Sequence, residues 1–248
     1  MDSVRFSSLG HRATLPNHVQ TQATIDTMNK MRDGYDIRKY SASARKELLS
    51  GGTIDIRKKE SKEFIAIVPR LALVVISEAF RDYLVAVPDA NAVYVAQEHI
   101  EDRAVAHLME WVNAITHASD KKFGVPIPVR DGEADHMFII QIRYAAQALG
   151  MELYVRHFTR AYKESLRQRV PSPYEIETLQ RVSKGDGKDD MVDALGERLA
   201  YLRRTGYFSA SQLPVLQQTL DENPKVGKAV QEADERAEVK RASYSVQG

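Results

Sequence analysis

The sequence contains no cysteine among its 248 residues. Without cysteine the chain cannot form a disulfide, use a thiolate nucleophile or build a cysteine-based zinc site, and this excludes zinc fingers. The absence is compatible with a reducing compartment. We therefore expect the protein in the cytoplasm, the nucleus or both.

An excess of charge of either sign is also missing. Lys and Arg total 35 and Asp and Glu total 34, which gives a formal net charge of +1, so no global basic field draws the chain onto nucleic acid or an anionic membrane. The longest apolar run, 65–76, is interrupted by Pro69 and Arg70 and is too short to span a bilayer. Residues 1–16 lack the apolar core of a secretory signal. We expect a soluble protein without a membrane partner or direct nucleic-acid contact.

Motifs for catalysis and ligand binding are absent from the sequence. The histidines lack the spacing of a helical zinc site, and there is no G-x-S-x-G, S-x-x-K or glycine-rich phosphate loop in a suitable context. Asp131, Glu133 and Asp135 precede a predicted helix, where they favour its N-terminal dipole; a metal site is the weaker interpretation. The basic residues of the C-terminal helices are offset by acidic neighbours and are interpreted as a solvated face. They are Lys184, Lys188, Arg198, Arg203 and Arg204. We therefore expect no catalytic residue, cofactor or metal, and a non-enzymatic protein.

Composition along the chain predicts four segments. Residues 1–45 have few large apolar side chains and are expected to form a disordered arm, because such a segment buries too little surface to offset its ordering entropy. Residues 46–165 form the predicted domain, and 166–220 a C-terminal helical extension. Residues 221–248 are highly charged; this tail could form a helix but has no wide apolar face, so we expect it to be mobile.

The predicted domain opens with a strand hairpin. Residues 53–57 alternate polar and apolar side chains, and 63–68 are rich in β-forming residues. Lys58 and Lys59 lie between them and are interpreted as a solvated hairpin tip, although a lysine pair could also contact phosphate.

A helical pair follows the hairpin. Pro69 suits the first position of a helix, and Ser77 can cap a second one. Residues 71–76 are apolar almost all round, so this helix is buried on several sides or paired with a partner. The remaining predicted elements are a strand at 92–96, a loop at 116–132, and helices at 98–115, 134–149, 151–165, 171–182, 191–205 and 209–220.

This order of elements resembles the BTB/POZ domain, especially the divergent BTB-like proteins of fungi, over about residues 50–165. Residues 63–80 resemble the family's entry strand and Leu-x-x-x-Ser-x-x-Phe helix pair, 106–112 resemble a later helix, and 144–151 resemble its Ala-x-x-Leu-Gly-Met segment. The positions that match core positions of the family are Phe64, Leu73, Ser77, Phe80, Tyr144, Leu149 and Gly150. The chain departs from the family pattern at 68–69, where a histidine is usual, at 113–114, where a tyrosine is usual, and in the long loop at 116–132.

The resemblance implies an α+β fold, BTB/POZ-like, with a small mixed sheet flanked by a helical cluster and with extra C-terminal helices. It also implies a protein-interaction module, an adaptor or scaffold that forms a homodimer through its first strand and first helix. The candidate self-association residues are Ile54, Arg70, Leu71 and Val75. Two narrower alternatives stay open: a substrate adaptor of a cullin-type ubiquitin ligase, with the helices of 98–165 meeting the cullin, and a transcriptional regulator that acts through protein partners.

Overall fold

Helices and small sheets combine in this protein, as the predicted α+β class requires. The computed structural model describes residues 15–96, 100–119, 123–183 and 188–245. The predicted helix start at 98, Lys184 and the outer ends of the predicted arm and tail lie outside the described residues. The chain divides into two units, the first within 1–126 and 145–155 and the second within 127–144 and 156–248. These boundaries differ from those of the predicted 46–165 domain.

The first unit begins with helix α1, Asn17–Lys30, followed by a 3-10 turn at Ile37–Lys39 and helix α2, Ala42–Glu47. This corrects the expectation of a disordered arm for residues 15–45. Met28, Ile37 and Tyr40 are buried, and α1 packs against the apolar helix that follows the hairpin. The buried Arg45 donates from Nη1 to Tyr40 O at 2.7 Å and from Nη2 to Ala118 O at 3.0 Å. Backbone carbonyls thus replace a counter-ion for this guanidinium.

A three-stranded sheet forms the centre of the first unit. Strand β1, Thr53–Lys58, pairs antiparallel with β2, Phe64–Pro69, and parallel with β3, Ala92–Val95, so the strand order is β2-β1-β3. Ile54 and Ile56 point into the core, as the alternation in the sequence predicts. The register of β1 and β2 shifts between Ile56 and Arg57.

The helical pair predicted after the hairpin is confirmed. Helix α3, Arg70–Ile76, is buried along its whole length, and α4, Glu78–Ala86, begins immediately after it. Ser77 separates the two helices, and its Oγ accepts the Phe80 N–H at 3.2 Å as an N-cap. The chain then turns and enters β3, which completes the long connection that a parallel strand pair requires.

Helix α5, Asp102–His117, packs against β2 and places Trp111 in the core. The ring centroid of Trp111 lies 4.7 Å from that of Tyr154. The Tyr154 hydroxyl donates to Tyr35 O at 2.8 Å and accepts the Ile37 N–H at 3.3 Å. This tyrosine therefore anchors the segment between α1 and α2, although 119 positions separate it from Tyr35.

The second unit is mainly helical. A short hairpin of β4, Val129–Arg130, and β5, Glu133–Ala134, precedes helix α6, His136–Ala148, whose last turn belongs to the first unit. The helices that follow are α7, Arg156–Leu166; α8, Pro173–Val182; α9, Asp190–Arg204; α10, Gln212–Glu222; and α11, Pro224–Ser245. The expected mobile tail is therefore a helix through most of its length. It packs on α9 through a narrow face of small side chains: Val226, Ala229, Val230 and Ala233 are buried.

Candidate interaction surfaces of the sheet

The four residues predicted to mediate self-association lie inside the first unit. Ile54, Arg70, Leu71 and Val75 are at most 4% exposed. The sequence predicts that a second copy covers the apolar helix, whereas α1 of the same chain packs on α3. This corrects the assignment of these four side chains as an exposed interface, because none is accessible to a partner in this conformation. Self-association itself stays a prediction.

Arg70 holds the turn that leads into β3. Its Nη1 donates to Pro88 O at 2.8 Å, and its Nη2 donates to Ala90 O. Its backbone N–H donates to Gly52 O at 3.0 Å. Burial lowers the pKa of Arg70, while the nearby Asp89 acts in the opposite direction. The guanidinium therefore connects the start of α3 to the turn from which β3 begins.

Four of the residues that carry the family resemblance meet at one point in the first unit. Ser77 Oγ donates to Leu149 O at 2.6 Å while it accepts the Phe80 N–H. Gly150 follows with φ +66°, and a Cβ at this position would lie 3.5 Å from Ser77 Oγ. The serine thus ties the start of α4 to the end of α6. Leu73 is also buried.

The remaining two positions of the family pattern, Tyr144 and Phe64, do not take part in this junction. Tyr144 lies in the second unit, where it is buried and its hydroxyl donates to Asp189 Oδ2. Burial, followed by the charge of Asp189, raises the pKa of Tyr144. Phe64 is 55% exposed, which corrects its assignment as a core position. The register shift skips Ile65 of β2 and places Phe64 opposite Arg57 on the outward face of the sheet.

That outward face carries three large apolar side chains. Phe64, Ile67 and Tyr94 are 55%, 48% and 40% exposed, respectively. Arg57 pairs in register with both Phe64 on β2 and Tyr94 on β3, so these three residues form one row across the sheet. The Arg57 guanidinium carbon lies 6.0 Å from the Phe64 ring centroid, and Lys62 Nζ lies 4.3 Å from that of Tyr94. We call Arg57, Phe64, Ile67 and Tyr94 the sheet face.

The two outer strands of the sheet differ in what lies beside them. Helix α5 packs along β2, and Asn113 Nδ2 donates to Ile67 O at 2.8 Å. In the part of the chain that the structure describes, β1 is the only strand that pairs with β3. At the start of β3 the Tyr83 hydroxyl donates to Ala92 O at 3.3 Å. Farther along β3, from Tyr94 onward, the edge borders a groove.

This groove has a volume of about 470 Å³ and lies within the first unit. Its walls are mainly apolar and come from α4, β3 and the end of α6, with two lysines of the hairpin tip at its rim. The lining residues used below are Phe80, Val95, Ile100, Leu149, Lys59 and Lys62. We call this feature the β3 groove.

A buried cluster of ionisable groups in the second unit surrounds the Glu175 carboxylate, while Arg169 Nε in the same cluster has no hydrogen-bond partner among the described residues. Glu175 is fully buried; Arg169 donates from Nη1 to its Oε2 at 2.5 Å and from Nη2 to its Oε1 at 2.7 Å. The Tyr162 hydroxyl donates to the same carboxylate, and burial raises the pKa of Tyr162 well above its ordinary value. His136 Nε2 lies 3.9 Å from Glu175 Oε2, and burial lowers the pKa of this histidine. Because the Glu175 carboxylate accepts three hydrogen bonds from its neighbours, we assign the cluster a structural role in holding α7 and α8 together.

The acidic group before α6 also has a structural role. Asp135 Oδ1 accepts the Phe138 N–H at 3.1 Å, and its Oδ2 lies 2.9 Å from Arg130 Nη2. Of the two readings considered for Asp131, Glu133 and Asp135, the structure supports the helix-terminus role for Asp135. No group of three or more metal-binding side chains occurs among the described residues. Within the same residues, no helix is both long and apolar enough to cross a membrane.

The sheet face and the β3 groove were not recognised from the sequence. The sequence pattern favours a solvated tip for Lys59 and a core position for Phe64. The groove draws on residues as far apart as Lys59 and Leu149, and no local pattern joins them. Comparison of the chain with protein-family models, curated proteins and solved structures finds no match.

Proposed function

We propose that this protein is a non-enzymatic interaction module, a BTB-like adaptor or scaffold that associates with a second copy of itself. The strand order β2-β1-β3 supports the proposal, because β3 returns parallel to β1 after the helical pair, in the succession on which the family resemblance rests. The junction of Ser77, Phe80 and Leu149 supports it at the level of single residues.

The exposed sheet face is the observation that carries the proposal. Three large apolar side chains on one exposed face form the kind of patch that marks an interaction site in soluble proteins. Aromatic rings beside cations are also typical of interface centres. The face replaces the buried α3 as the proposed contact between copies.

Both signs of charge flank these apolar side chains. Arg57 and Lys62 lie near Asp55 and Glu63; Arg57 Nη2 is 2.7 Å from Asp55 Oδ2. In a two-fold pairing each copy presents the same surface, so a surface with both signs can be complementary to itself. This favours a second copy as the partner of the sheet face.

Light scattering of the full chain over a concentration series tests the proposal. We expect a dimer at low micromolar concentration, and Ile67→Glu should raise the dissociation constant at least about tenfold because it places a charge in the contact. Ile67 is half exposed, so a glutamate remains solvated in the monomer. Val85→Glu, at a comparably exposed site on α4, is the matched control and should leave the mass curve unchanged. A wild-type monomer up to about 100 μM would refute self-association.

The two narrower functions differ in the partner that they require. A cullin-ligase adaptor should bind a purified cullin directly. A transcriptional regulator of this type should be enriched in the nucleus and should bind no DNA on its own. Ile67→Glu should be assayed in both experiments, because it separates self-association from binding of the second partner.

A further inference from the structure

The free edge of β3 and the β3 groove together have the features of a binding site for an extended peptide. The edge offers backbone hydrogen-bonding groups, the groove offers apolar walls, and the rim offers positive charge. Each of these features rests on a separate observation.

The backbone of β3 alternates between its two edges. Asp55 N–H donates to Asn91 O at 3.1 Å, and Lys59 N–H donates to Val95 O at 2.9 Å, so the odd-numbered residues of this segment face β1. The carbonyl of Ala92 points the other way, where it accepts the Tyr83 hydroxyl. Tyr94 follows Ala92 on that outer edge, and no strand pairs with it there among the described residues. A strand added at this edge would find its backbone partner at Tyr94.

The groove beside this edge is suited to apolar side chains. Phe80 of α4, Leu149 directly after α6, Val95 of β3 and Ile100 line it. Successive side chains of an extended peptide point to opposite sides. A peptide paired with β3 would therefore place every second side chain in the groove and the others toward the lysines and solvent.

The rim charges favour a carboxylate. In the described part of the chain, neither Lys59 nor Lys62 lies within salt-bridge distance of an acidic side chain, whereas the adjacent Lys58 pairs with Asp102 at 3.3 Å. Lys62 Nζ lies over the Tyr94 ring, which directs one ammonium to the same stretch of β3. Two such ammonium groups at one rim attract acidic side chains and repel basic ones.

We propose that the β3 groove binds an extended segment of a partner protein in which apolar residues alternate with acidic ones, and that this segment adds as a strand to the free edge of β3. The inference rests on the proposed function, since it names a second partner class for the same module. It uses the backbone edge of β3 and the groove, whereas self-association uses the outward side chains of the sheet; Tyr94 and Lys62 border both surfaces.

An array of seven-residue peptides tests this site. Each peptide alternates one apolar residue (Val, Ile, Leu, Phe or Tyr) with either Glu or Lys, and binding of the full chain is measured by fluorescence anisotropy at low salt. We expect at least one Glu-containing peptide to bind at least about tenfold more tightly than its Lys-containing counterpart. Two methylated versions of that peptide are then compared, one with methyl groups on its odd-numbered backbone nitrogens and one with methyl groups on its even-numbered ones. One of the two versions should lose binding, because strand addition requires the peptide N–H groups that point toward β3.

Charge reversal in the protein provides the second arm of the experiment. The double substitution Lys59→Glu with Lys62→Glu should lower the affinity for the acidic peptide at least about tenfold and should reduce the salt dependence of binding. Arg32→Glu with Lys46→Glu changes the net charge equally at exposed positions outside the groove and should leave affinity within about twofold. Three results would each overturn the proposal: no peptide binds, Glu and Lys peptides bind equally, or backbone methylation has no effect in either version. A wild-type chain that dimerises normally but binds no peptide would refute this inference alone, because the mass of the wild type is measured without any peptide.

Discussion

Replacing Arg70 by methionine should destabilise the first unit and loosen β3. The change removes two charge-assisted hydrogen bonds, from Nη1 to Pro88 O and from Nη2 to Ala90 O. Each such bond contributes about 1.5–3 kcal/mol to the free energy of unfolding, so the gross loss is about 3–6 kcal/mol. Methionine keeps the unbranched apolar stem that packs beneath the guanidinium.

An opposing effect reduces that loss. The guanidinium is buried and therefore desolvated, which lowers the pKa of Arg70, and methionine is free of this penalty. Pro88 and Ala90 are only half-buried, so water can partly replace the lost donors. We expect a net loss of about 2 kcal/mol, which for a chain of this length lowers the melting temperature by about 4–8 °C.

Urea unfolding and hydrogen exchange measure the two consequences. The unfolding midpoint should fall, and the Val93 and Val95 amides, which face β1, should exchange faster than in the wild type. Arg32→Met, at an exposed position, is the control and should change stability by less than about 0.5 kcal/mol. If Arg70→Met is as stable as the wild type, desolvation cancels the hydrogen bonds and the proposed role of Arg70 in holding β3 is refuted.

Two further substitutions test the interior of each unit. Ser77→Ala removes the N-cap of α4 and the donor to Leu149 O, and should lower the free energy of unfolding in urea by about 2–4 kcal/mol. The exposed control Ser61→Ala should lower it by less than about 0.5 kcal/mol. Equal effects of the two substitutions would contradict the role of Ser77 in tying α4 to the end of α6. The pKa of His136 is lowered in the folded state by burial and by Arg169, with Glu175 and Asp135 opposing and Arg130 reinforcing the shift. The unfolded chain therefore binds more protons between the folded pKa and about 6.5, so lowering the pH through about 6.5 should destabilise the wild type more than His136→Gln, and parallel pH profiles would refute this.

Local patterns predicted the elements that lie around the sheet. Alternation identified β1, the β-forming run identified β2, and the all-apolar run identified α3. Ser77 was recognised because a helix N-cap has strong residue preferences. In these segments short-range chemistry and tertiary packing favour the same structure.

Helix α1 and the packing of α11 were not predicted because their buried faces have little hydrophobic contrast. Gln20, Thr21 and Thr24 are buried in α1, and the Thr24 hydroxyl keeps a hydrogen bond by donating to Gln20 O at 2.9 Å. In α11 the buried face consists of small residues that allow a close approach to α9. A Cβ on Gly196 would lie 2.6 Å from the carbonyl carbon of Ala229. Close helix contact thus supplies burial that a count of large apolar residues does not detect.

The proposed surfaces depend on three-dimensional features that a local pattern does not contain. A single register shift turns Phe64 outward, although its apolar neighbours suggest a core position. Burial of Leu71 and Val75 depends on α1, whose own formation was not predicted. The sequence therefore predicted an exposed apolar surface on α3, whereas the exposed apolar side chains lie on β2 and β3.

Site-specific photocrosslinking most directly tests the claim that the sheet face joins two copies of the chain. p-Benzoylphenylalanine is introduced at position 64 in one variant and at position 85 in a control, and each full-length protein is irradiated at low micromolar concentration. The account predicts a crosslinked dimer for position 64, with the crosslinked partner peptides drawn from β1, β2 and β3, and only monomer for position 85. Monomer alone at position 64, or crosslinks from position 64 to α3, would contradict it.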